Sequence, residues 1–203
     1  MGTQKMLEIK YRKKVVTINH IWFFTNQNRN EIHLSTNFYF FHAVESIPTQ
    51  YRIITCKEQE SLLTDLKLPE QDIWGHISKT YRYEIKRCEQ ENPLMKVFSS
   101  KDVAKNSDLV KSFCNTYEEM FLSKGIKEKL NRNLFRSYID NNVLYMTVAF
   151  NTNHPVVFHI YISDGKSVRL LYSCSGFRDE SASGATDIGR LNKALHWFDI
   201  KPM

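Results

Sequence analysis

A histidine and a tyrosine on one predicted strand have side chains suited to acid–base chemistry. Within Val156–Ser163, the alternation of residues predicts a strand with His159 and Tyr161 on the same face. An imidazole, with its usual pKa near about 6.5, can accept a proton from an amine, and a phenol can protonate a departing thiolate. We therefore interpret both residues as catalytic groups for acyl transfer to an amine. The competing interpretation of His159 is a hydrogen-bonded packing residue.

Further polar side chains follow at the end of the next predicted strand. Ser173 and Ser175 lie at the end of Ser167–Ser175, and Arg178 lies in the loop beyond it. Ligands often bind where the strands of an α/β sheet end and feed loops. The guanidinium of Arg178 could hold a phosphate or carboxylate through two parallel hydrogen bonds, although a solvated loop arginine has the same signature. We expect Ser173, Ser175 and Arg178 to bind substrate.

The last predicted helix carries a polar stripe that would complete this site. The helix begins near Thr186, and Asn192, His196 and Asp199 recur on one face at helical spacing. We expect Asn192 and His196 to bind substrate beside His159, and packing is the alternative role for His196. The buried face of the helix is predicted to consist of Ile188, Leu191, Leu195 and Phe198.

The elements that must position these side chains begin with strands. Aromatic and β-branched runs predict strands in Val15–Phe24, Phe38–His42 and Tyr51–Thr55. Pro69 then suits the first position of a helix, which ends at Asn92 because Pro93 follows.

Two stripes run along this predicted helix. Their spacing predicts that the apolar stripe is buried and the basic stripe exposed. The apolar stripe consists of Trp74, Ile77, Tyr81, Ile85 and Cys88, and the basic stripe of Lys79, Arg82 and Lys86. A solvated helix face and a surface that binds a polyanion both fit the basic stripe.

The remaining elements predict one α/β (α+β) domain with a mixed, largely antiparallel sheet flanked by helices. Hairpin turns join the last three strands. The elements are a strand at Met95–Phe98, a helix from the cap Ser107 to Gly125, a helix at Asn133–Ile139, and strands at Val143–Phe150, Val156–Ser163 and Ser167–Ser175. We interpret 1–203 as a single domain, with 1–49 its β-rich N-terminal part and 50–203 its core.

Charge and cysteine content narrow the function classes. The 28 Lys and Arg residues against 22 Asp and Glu give a net charge of +6, which is scattered along the chain. Nucleic acid is therefore not an expected partner, because its binding favours a concentrated basic stripe. The cysteines are too widely spaced for C-x2-C motifs, so we expect no metal, and they fit a reducing cytoplasm. No apolar run reaches the roughly 20 residues of a membrane span.

Several segments resemble one enzyme group. Trp74–Cys88 resembles the tryptophan-to-arginine helix of Fem-type and related GNAT-like (BioF2-like) acyltransferases. His159-Ile-Tyr-Ile, Arg169-Leu-Leu-Tyr-Ser and Gly189–Trp197 resemble the strand, strand and helix around the cleft of that group. The resemblance covers roughly residues 50–201 and implies a GNAT-like fold.

The resemblance implies N-acyl transfer from a CoA thioester to an amine. Aminoacyl-tRNA is an alternative donor, and the acceptor could be an amino sugar, a lipid-linked cell-envelope precursor or a small metabolite. Proteins of this group continue into a further strand with a Tyr-Asp-x-Gly-Gly type motif, so we expect the fold to be incomplete after Lys201-Pro202-Met203. The rival interpretation is a non-catalytic binding or assembly module that uses the basic helix, or an inactive truncated remnant of such an enzyme.

Overall fold

Helices packed on two small sheets give the chain a mixed α+β fold, which confirms the predicted fold class. The structure is a computed structural model that describes residues 6–25, 38–42, 52, 54–57, 63–176 and 182–201, with side chains described from 187 onward in the last range. Neighbouring strands in these ranges are antiparallel except for one pair in the first sheet.

The first sheet lies near the N-terminus. Strand β1 (Leu7–Lys13) pairs antiparallel with β2 (Val16–Trp22), and β3 (Phe38–His42) pairs parallel with β2. Strands β2 and β3 confirm the two predictions that overlap them, whereas β1 was not predicted despite the alternation of its apolar and charged residues. The predicted strand Tyr51–Thr55 is wrong where it is described, because positions 52, 54 and 55 are not in a strand, and positions 51 and 53 lie outside the described residues.

The predicted helix from Pro69 to Asn92 is in fact two helices. Helix α1 (Glu70–His76) ends at a break, and α2 (Lys79–Gln90) begins after it. The hydroxyl of Ser78 accepts a hydrogen bond from the backbone N–H of Tyr81 at 3.4 Å. A serine favours such a helix start, because its oxygen satisfies an N–H that has no partner in the first turn.

This break corrects the predicted apolar stripe. Ile85 is buried, and Trp74 and Ile77 pack, partly buried, against the same cluster. Tyr81 is 50% exposed, because the break changes the helical phase and removes it from the face of Trp74 and Ile77. Among the basic residues, Lys79 and Lys86 are exposed as predicted, and Arg82 is half-buried.

The second sheet contains four strands, and each pairs antiparallel with its neighbour. Three of them confirm the predicted hairpin strands, and the first confirms the prediction at Met95–Phe98. In spatial order they are β4 (Leu94–Ser99), β5 (Leu144–Asn151), β6 (His154–Ser163) and β7 (Val168–Ser175).

Four helices accompany this sheet. They are α3 (Ser100–Lys105), α4 (Ser107–Ser123), α5 (Arg132–Asp140) and α6 (Ala182–Ile200). The predictions for α4 and α5 are confirmed to within a residue or two, whereas α6 begins four positions before the predicted start. Among the described residues, no helix has both the length and the apolar character needed to cross a membrane.

Capping residues explain two differences from the predicted helices. The short helix α3 was not predicted, and it begins in a capping box formed by Ser99 and Asp102. The cap of α4 is Asn106, not Ser107, because the Asn106 side chain accepts a hydrogen bond from the backbone N–H of Leu109 at 3.0 Å. The predicted stop at Gly125 is confirmed, since its φ of +74° is a conformation that glycine adopts readily.

Helices cover both faces of the second sheet. One face packs against α4 and α5 through the fully buried Met146, Phe158, Phe113 and their neighbours. The other face packs against α6, where Val157 contacts the cluster of Ile188 and Leu195. Burying one such side chain stabilises the fold by about 1.5–3 kcal/mol, so both interfaces hold their helices firmly. The second interface also carries the polar side chains of interest.

Candidate functional site

The predicted site residues lie on the α6 side of the second sheet. In the pairing of β5, β6 and β7, Thr147 and Ser173 are the partners of His159 on either side. Cross-strand partners share a face, so Ser173 lies beside His159. Ser175 is paired with Val157, one row closer to the start of α6. Two of the predicted substrate-binding residues are therefore near the histidine.

Hydrogen bonds join β6 to α6 at this point. The Nδ1 atom of His159 lies 2.6 Å from Oδ2 of Asp199, and its Nε2 atom lies 3.0 Å from Oδ1 of Asn192. The hydroxyl of Tyr161 donates to the same Asp199 Oδ2 at 2.6 Å. We call Tyr161, His159, Asp199, Asn192 and His196 the His159 network.

His159 is enclosed. Its side chain is 0% exposed, and both of its nitrogens have partners. The amide of Asn192 can present either its oxygen or, turned over, its nitrogen to Nε2, so it can satisfy the charged or the neutral ring. His159 is therefore held in place by the network and does not face solvent directly.

His196 is the partly exposed imidazole of the network. Its ring stacks on that of His159, with centroids 4.0 Å apart and planes inclined by 26°. Burial and, to a smaller extent, the neighbouring His159 lower the pKa of His196 to about 4, against the opposing effect of Asp199. The ring is consequently uncharged at neutral pH, with one nitrogen able to accept a proton or a hydrogen bond.

Tyr161 is a hydrogen-bond donor at every pH of interest. Burial raises the pKa of its phenol well above the usual range, and the charge of Asp199 and the hydrogen bond to it raise the pKa further. The hydroxyl is directed at the carboxylate of Asp199. Tyr161 therefore holds Asp199 in place and is not free to protonate a thiolate in this arrangement.

Two buried oxygens beside the network have no hydrogen-bond partner among the described residues. They are Oδ1 of Asp199 and Oγ1 of Thr147. The side chain of Asp199 is only 5% exposed. A buried polar atom without a partner lowers the stability of the fold by about 1–3 kcal/mol, and such atoms can mark the binding site of a water molecule or an ion.

Helix α6 is also held near its middle by a buried arginine. The guanidinium of Arg190 contacts Glu84 of α2 at 3.3 Å and Glu91, the residue after α2, at 3.0 Å. It also contacts Asp187 of its own helix at 3.1 Å. The side chain of Arg190 is only 4% exposed. These contacts join α6 to the C-terminal half of α2.

The structure brings most of the predicted site residues together. His159, Tyr161, Asn192 and His196 belong to one network, whereas Arg178 lies outside the described residues. Asp199 was predicted on the polar stripe of the last helix but not in the site, although its spacing from His196 was the available signal. Thr147 was missed as well, because only the strand register shows that it adjoins His159.

The network also contains a set of possible metal ligands that cysteine spacing could not reveal. One ring nitrogen each from His159 and His196 and one carboxylate oxygen of Asp199 lie within 4.8 Å of one another. A shallow cavity of about 250 Å³ lies elsewhere, and none of its lining residues belongs to the network. Glu70, Gln71, Trp74, Lys86, Glu89, Trp197 and Lys201 line that cavity.

Comparison with protein-family models finds no family that matches the chain. Comparison with curated proteins finds no match either.

Proposed function

We propose that the chain is an N-acyltransferase domain that moves an acyl group from a CoA thioester to an amine. The observation that carries the proposal is the His159 network, in which a partly exposed imidazole stacks on a buried one held by a carboxylate. The resemblance to Fem-type and other GNAT-like acyltransferases in the same segments supports the reaction class.

The reaction needs two proton transfers, one from the amine to a base and one from that base to the departing thiolate. The amine nitrogen attacks the thioester carbonyl, so a C–N bond forms as the C–S bond breaks. His196 accepts the proton that the amine nitrogen loses, and the resulting imidazolium gives it to the departing thiolate sulfur. The proposal assigns this role to His196 because His159 is enclosed and has both nitrogens occupied.

The other residues of the network are positioning residues in this proposal. Asp199 orients His159 through Nδ1, and the ring of His159 supports that of His196. Tyr161 fixes Asp199. Ser173 and Ser175 supply hydroxyls on the same face, where they can bind substrate oxygens. CoA is the proposed donor and aminoacyl-tRNA the alternative, since the resemblance does not decide between them. Arg178, which the sequence predicts to bind a phosphate or carboxylate of the substrate, lies outside the described residues.

Acyl transfer can be tested on the purified chain. Acetyl-CoA and longer acyl-CoA thioesters are incubated with amino sugars, polyamines and amino acids, and the amide product is quantified by mass spectrometry. Thioester loss is followed by ultraviolet absorbance, because the exposed thiol of Cys56 would react with thiol reagents. Failure of every donor and acceptor pair to give amide above the uncatalysed rate would remove support for the proposal.

The first variant prediction concerns His196. Replacement of a general base typically lowers the rate by about 10²–10⁴-fold, so we expect a loss of that size in His196→Ala. His154→Ala is the matched control, since His154 lies on the same strand as His159 but at an exposed turn. Equal rates for the two variants would contradict the role of His196.

A binding or assembly module is the second candidate function. Helix α2 exposes the large side chains of Tyr81 and Tyr83, at 50% and 61%, beside Lys79 and Lys86. Aromatic side chains such as tyrosine are enriched at interaction surfaces. A chain without transferase activity that binds a partner through Tyr83 would favour this function.

We also propose a reducing, cytoplasmic location. The basis is that Cys56, Cys88, Cys114 and Cys174 are all free thiols in the structure. Labelling of the thiols in protein isolated from cells, without reduction, tests the location.

A further inference from the structure

We propose that His159, His196 and Asp199 form a binding site for a divalent transition-metal ion such as Zn²⁺, and that the ion inhibits acyl transfer. The metal site stands on geometry alone. The inhibition rests on the proposed function, because it concerns the use of His196 in the reaction.

The ligand types suit this class of metal. Two imidazoles and one carboxylate, with donor atoms within 4.8 Å of one another, form the set. Zinc is commonly held by three such protein ligands with a fourth position open, whereas calcium and magnesium prefer sets made of oxygen. The ligands come from β6 and α6, two elements that are packed firmly together.

The carboxylate of Asp199 provides an independent observation. Its Oδ2 atom already contacts His159 and Tyr161, but its Oδ1 atom is buried and has no partner among the described residues. A cation next to Oδ1 would satisfy this atom while Tyr161 keeps its hydrogen bond to Oδ2. The carboxylate thus has one oxygen available for a metal and one held by the protein.

The surroundings also provide the outer contacts that metal ligands usually have. A metal-binding imidazole typically uses its second nitrogen to contact an oxygen of the protein. Nε2 of His159 lies 3.0 Å from Oδ1 of Asn192, and the phenol of Tyr161 donates to Asp199. These contacts would hold two of the three ligands in place during binding.

Binding requires two local changes. Because Nε2 of His159 contacts Asn192, Nδ1 must face the metal, and it gives up its 2.6 Å contact with Oδ2 of Asp199. An imidazole nitrogen binds a metal in the plane of its ring, and the stacked rings of His159 and His196, 4.0 Å apart with planes inclined by 26°, do not both point at one ion. The ring of His196 must therefore leave its stack on His159. Its partial exposure on α6 gives it room to turn. Once bound, its lone pair is occupied by the metal and cannot accept the proton of the amine.

The test begins with binding, which does not depend on activity. Untagged full-length chain carrying Cys56→Ser, to remove the exposed thiol, is stripped with EDTA and titrated with Co²⁺. We expect one ion per chain, with the visible absorption of four-coordinate cobalt that disappears when Zn²⁺ is added. Asp199→Asn and His196→Gln should abolish this signal, and His154→Gln should preserve it. Circular dichroism shows whether each variant is folded.

Asn192→Ala adds a graded test, because loss of an outer contact typically weakens metal binding by about 10–100-fold. Absence of cobalt binding, or equal binding by all variants that fold, would overturn the metal site. A binding chain that shows no acyl transfer with any substrate refutes the proposed function and leaves the metal site intact. An active chain that binds the metal but keeps its full rate refutes the inhibition.

Discussion

Two stacked pairs of imidazoles lie in the described part of the chain, one on the first sheet and one between the second sheet and helix α6. In the first sheet, the rings of His20 and His42 have centroids 4.9 Å apart, and Nδ1 of His20 lies 2.8 Å from Nε2 of His42. In the second pair, the ring of His159 on β6 and that of His196 on α6 have centroids 4.0 Å apart. The two pairs are similar in geometry, but their neighbours differ.

Aromatic rings surround the pair on the first sheet. Phe40 stacks on His20 at 5.2 Å, and Trp22 stacks on His42 at 3.9 Å. Burial lowers the pKa of both histidines to about 4, and for His42 the neighbouring His20 and Arg169 contribute as well. Both rings are uncharged at neutral pH, so one donates its proton to the bond and the other accepts it.

A carboxylate is what distinguishes the second pair. Asp199 orients His159 and leaves a buried oxygen without a partner, whereas no Asp or Glu hydrogen bond to His20 or His42 is found among the described residues. Stacking and a hydrogen bond between the two rings are sufficient to explain a packed histidine pair. A carboxylate that fixes one ring and has capacity for a further ligand is what makes the other pair a candidate site.

The largest effect on stability is expected from Asp199→Ala. The change leaves the buried His159 and Tyr161 without their partner, and removal of one member of a buried pair typically costs about 3–5 kcal/mol of unfolding free energy. Urea denaturation measures this loss of unfolding free energy. Asp140→Ala is the control, because its contact with Arg136, at 3.9 Å, is exposed and should be worth less than about 1 kcal/mol. Similar losses in both variants would contradict the central place of Asp199.

A smaller effect is expected from acidification. The folded-state pKa of about 4 for His20 and His42 lies below the usual value of 6.5, so the unfolded chain binds more protons between these pH values. The unfolding free energy therefore falls as the pH drops from 6.5 towards 4, by at most about 1.4 kcal/mol per pH unit for each histidine.

The double variant His20→Phe, His42→Phe tests this assignment. It removes two titrating groups and keeps aromatic packing beside Phe40 and Trp22. Urea denaturation at several pH values should show a shallower acid dependence than that of the unsubstituted chain. An unchanged slope would show that other groups, such as His196, cause the loss of stability.

Local patterns were sufficient to predict much of the fold. The strands around His159 follow from alternation and from hairpin turns, both of which act over a few residues. The break at Ser78 was missed, because a single capping serine is a weaker signal in the sequence than the apolar stripe that continues across it. The exposure of Tyr81 is a consequence of the same break.

The site was only partly predictable. Spacing placed His159 and Tyr161 on one strand face and Asn192, His196 and Asp199 on one helix face. That the two faces meet depends on how α6 packs on the sheet, which no local pattern fixes. Only the three-dimensional arrangement shows that His159 is enclosed. The proposal that His196 is the base depends on this enclosure.

The smallest effect expected is a change in the pKa of His20 when a carboxylate is placed beside it. Phe40 is the cross-strand partner of His20, its ring stacks on the imidazole at 5.2 Å, and it is 47% exposed. In Phe40→Glu the negative charge would favour the imidazolium, so the pKa of His20 should rise towards its usual value by about 1 unit at this half-exposed position. Phe38→Glu is the matched control, because Phe38 lies on the same face of β3, is 50% exposed and pairs with Ile18.

Proton NMR titration of the His20 ring in both variants measures the difference. A rise in Phe40→Glu alone would show that a carboxylate is the feature that the first pair lacks, and the acid dependence of unfolding should weaken with it, because the folded and unfolded pKa values move closer together. Equal shifts in the two variants would instead attribute the change to the overall charge of the sheet. Absence of any shift would mean that burial alone sets the pKa of His20, and the contrast between the two pairs would then lie in enclosure and not in the carboxylate.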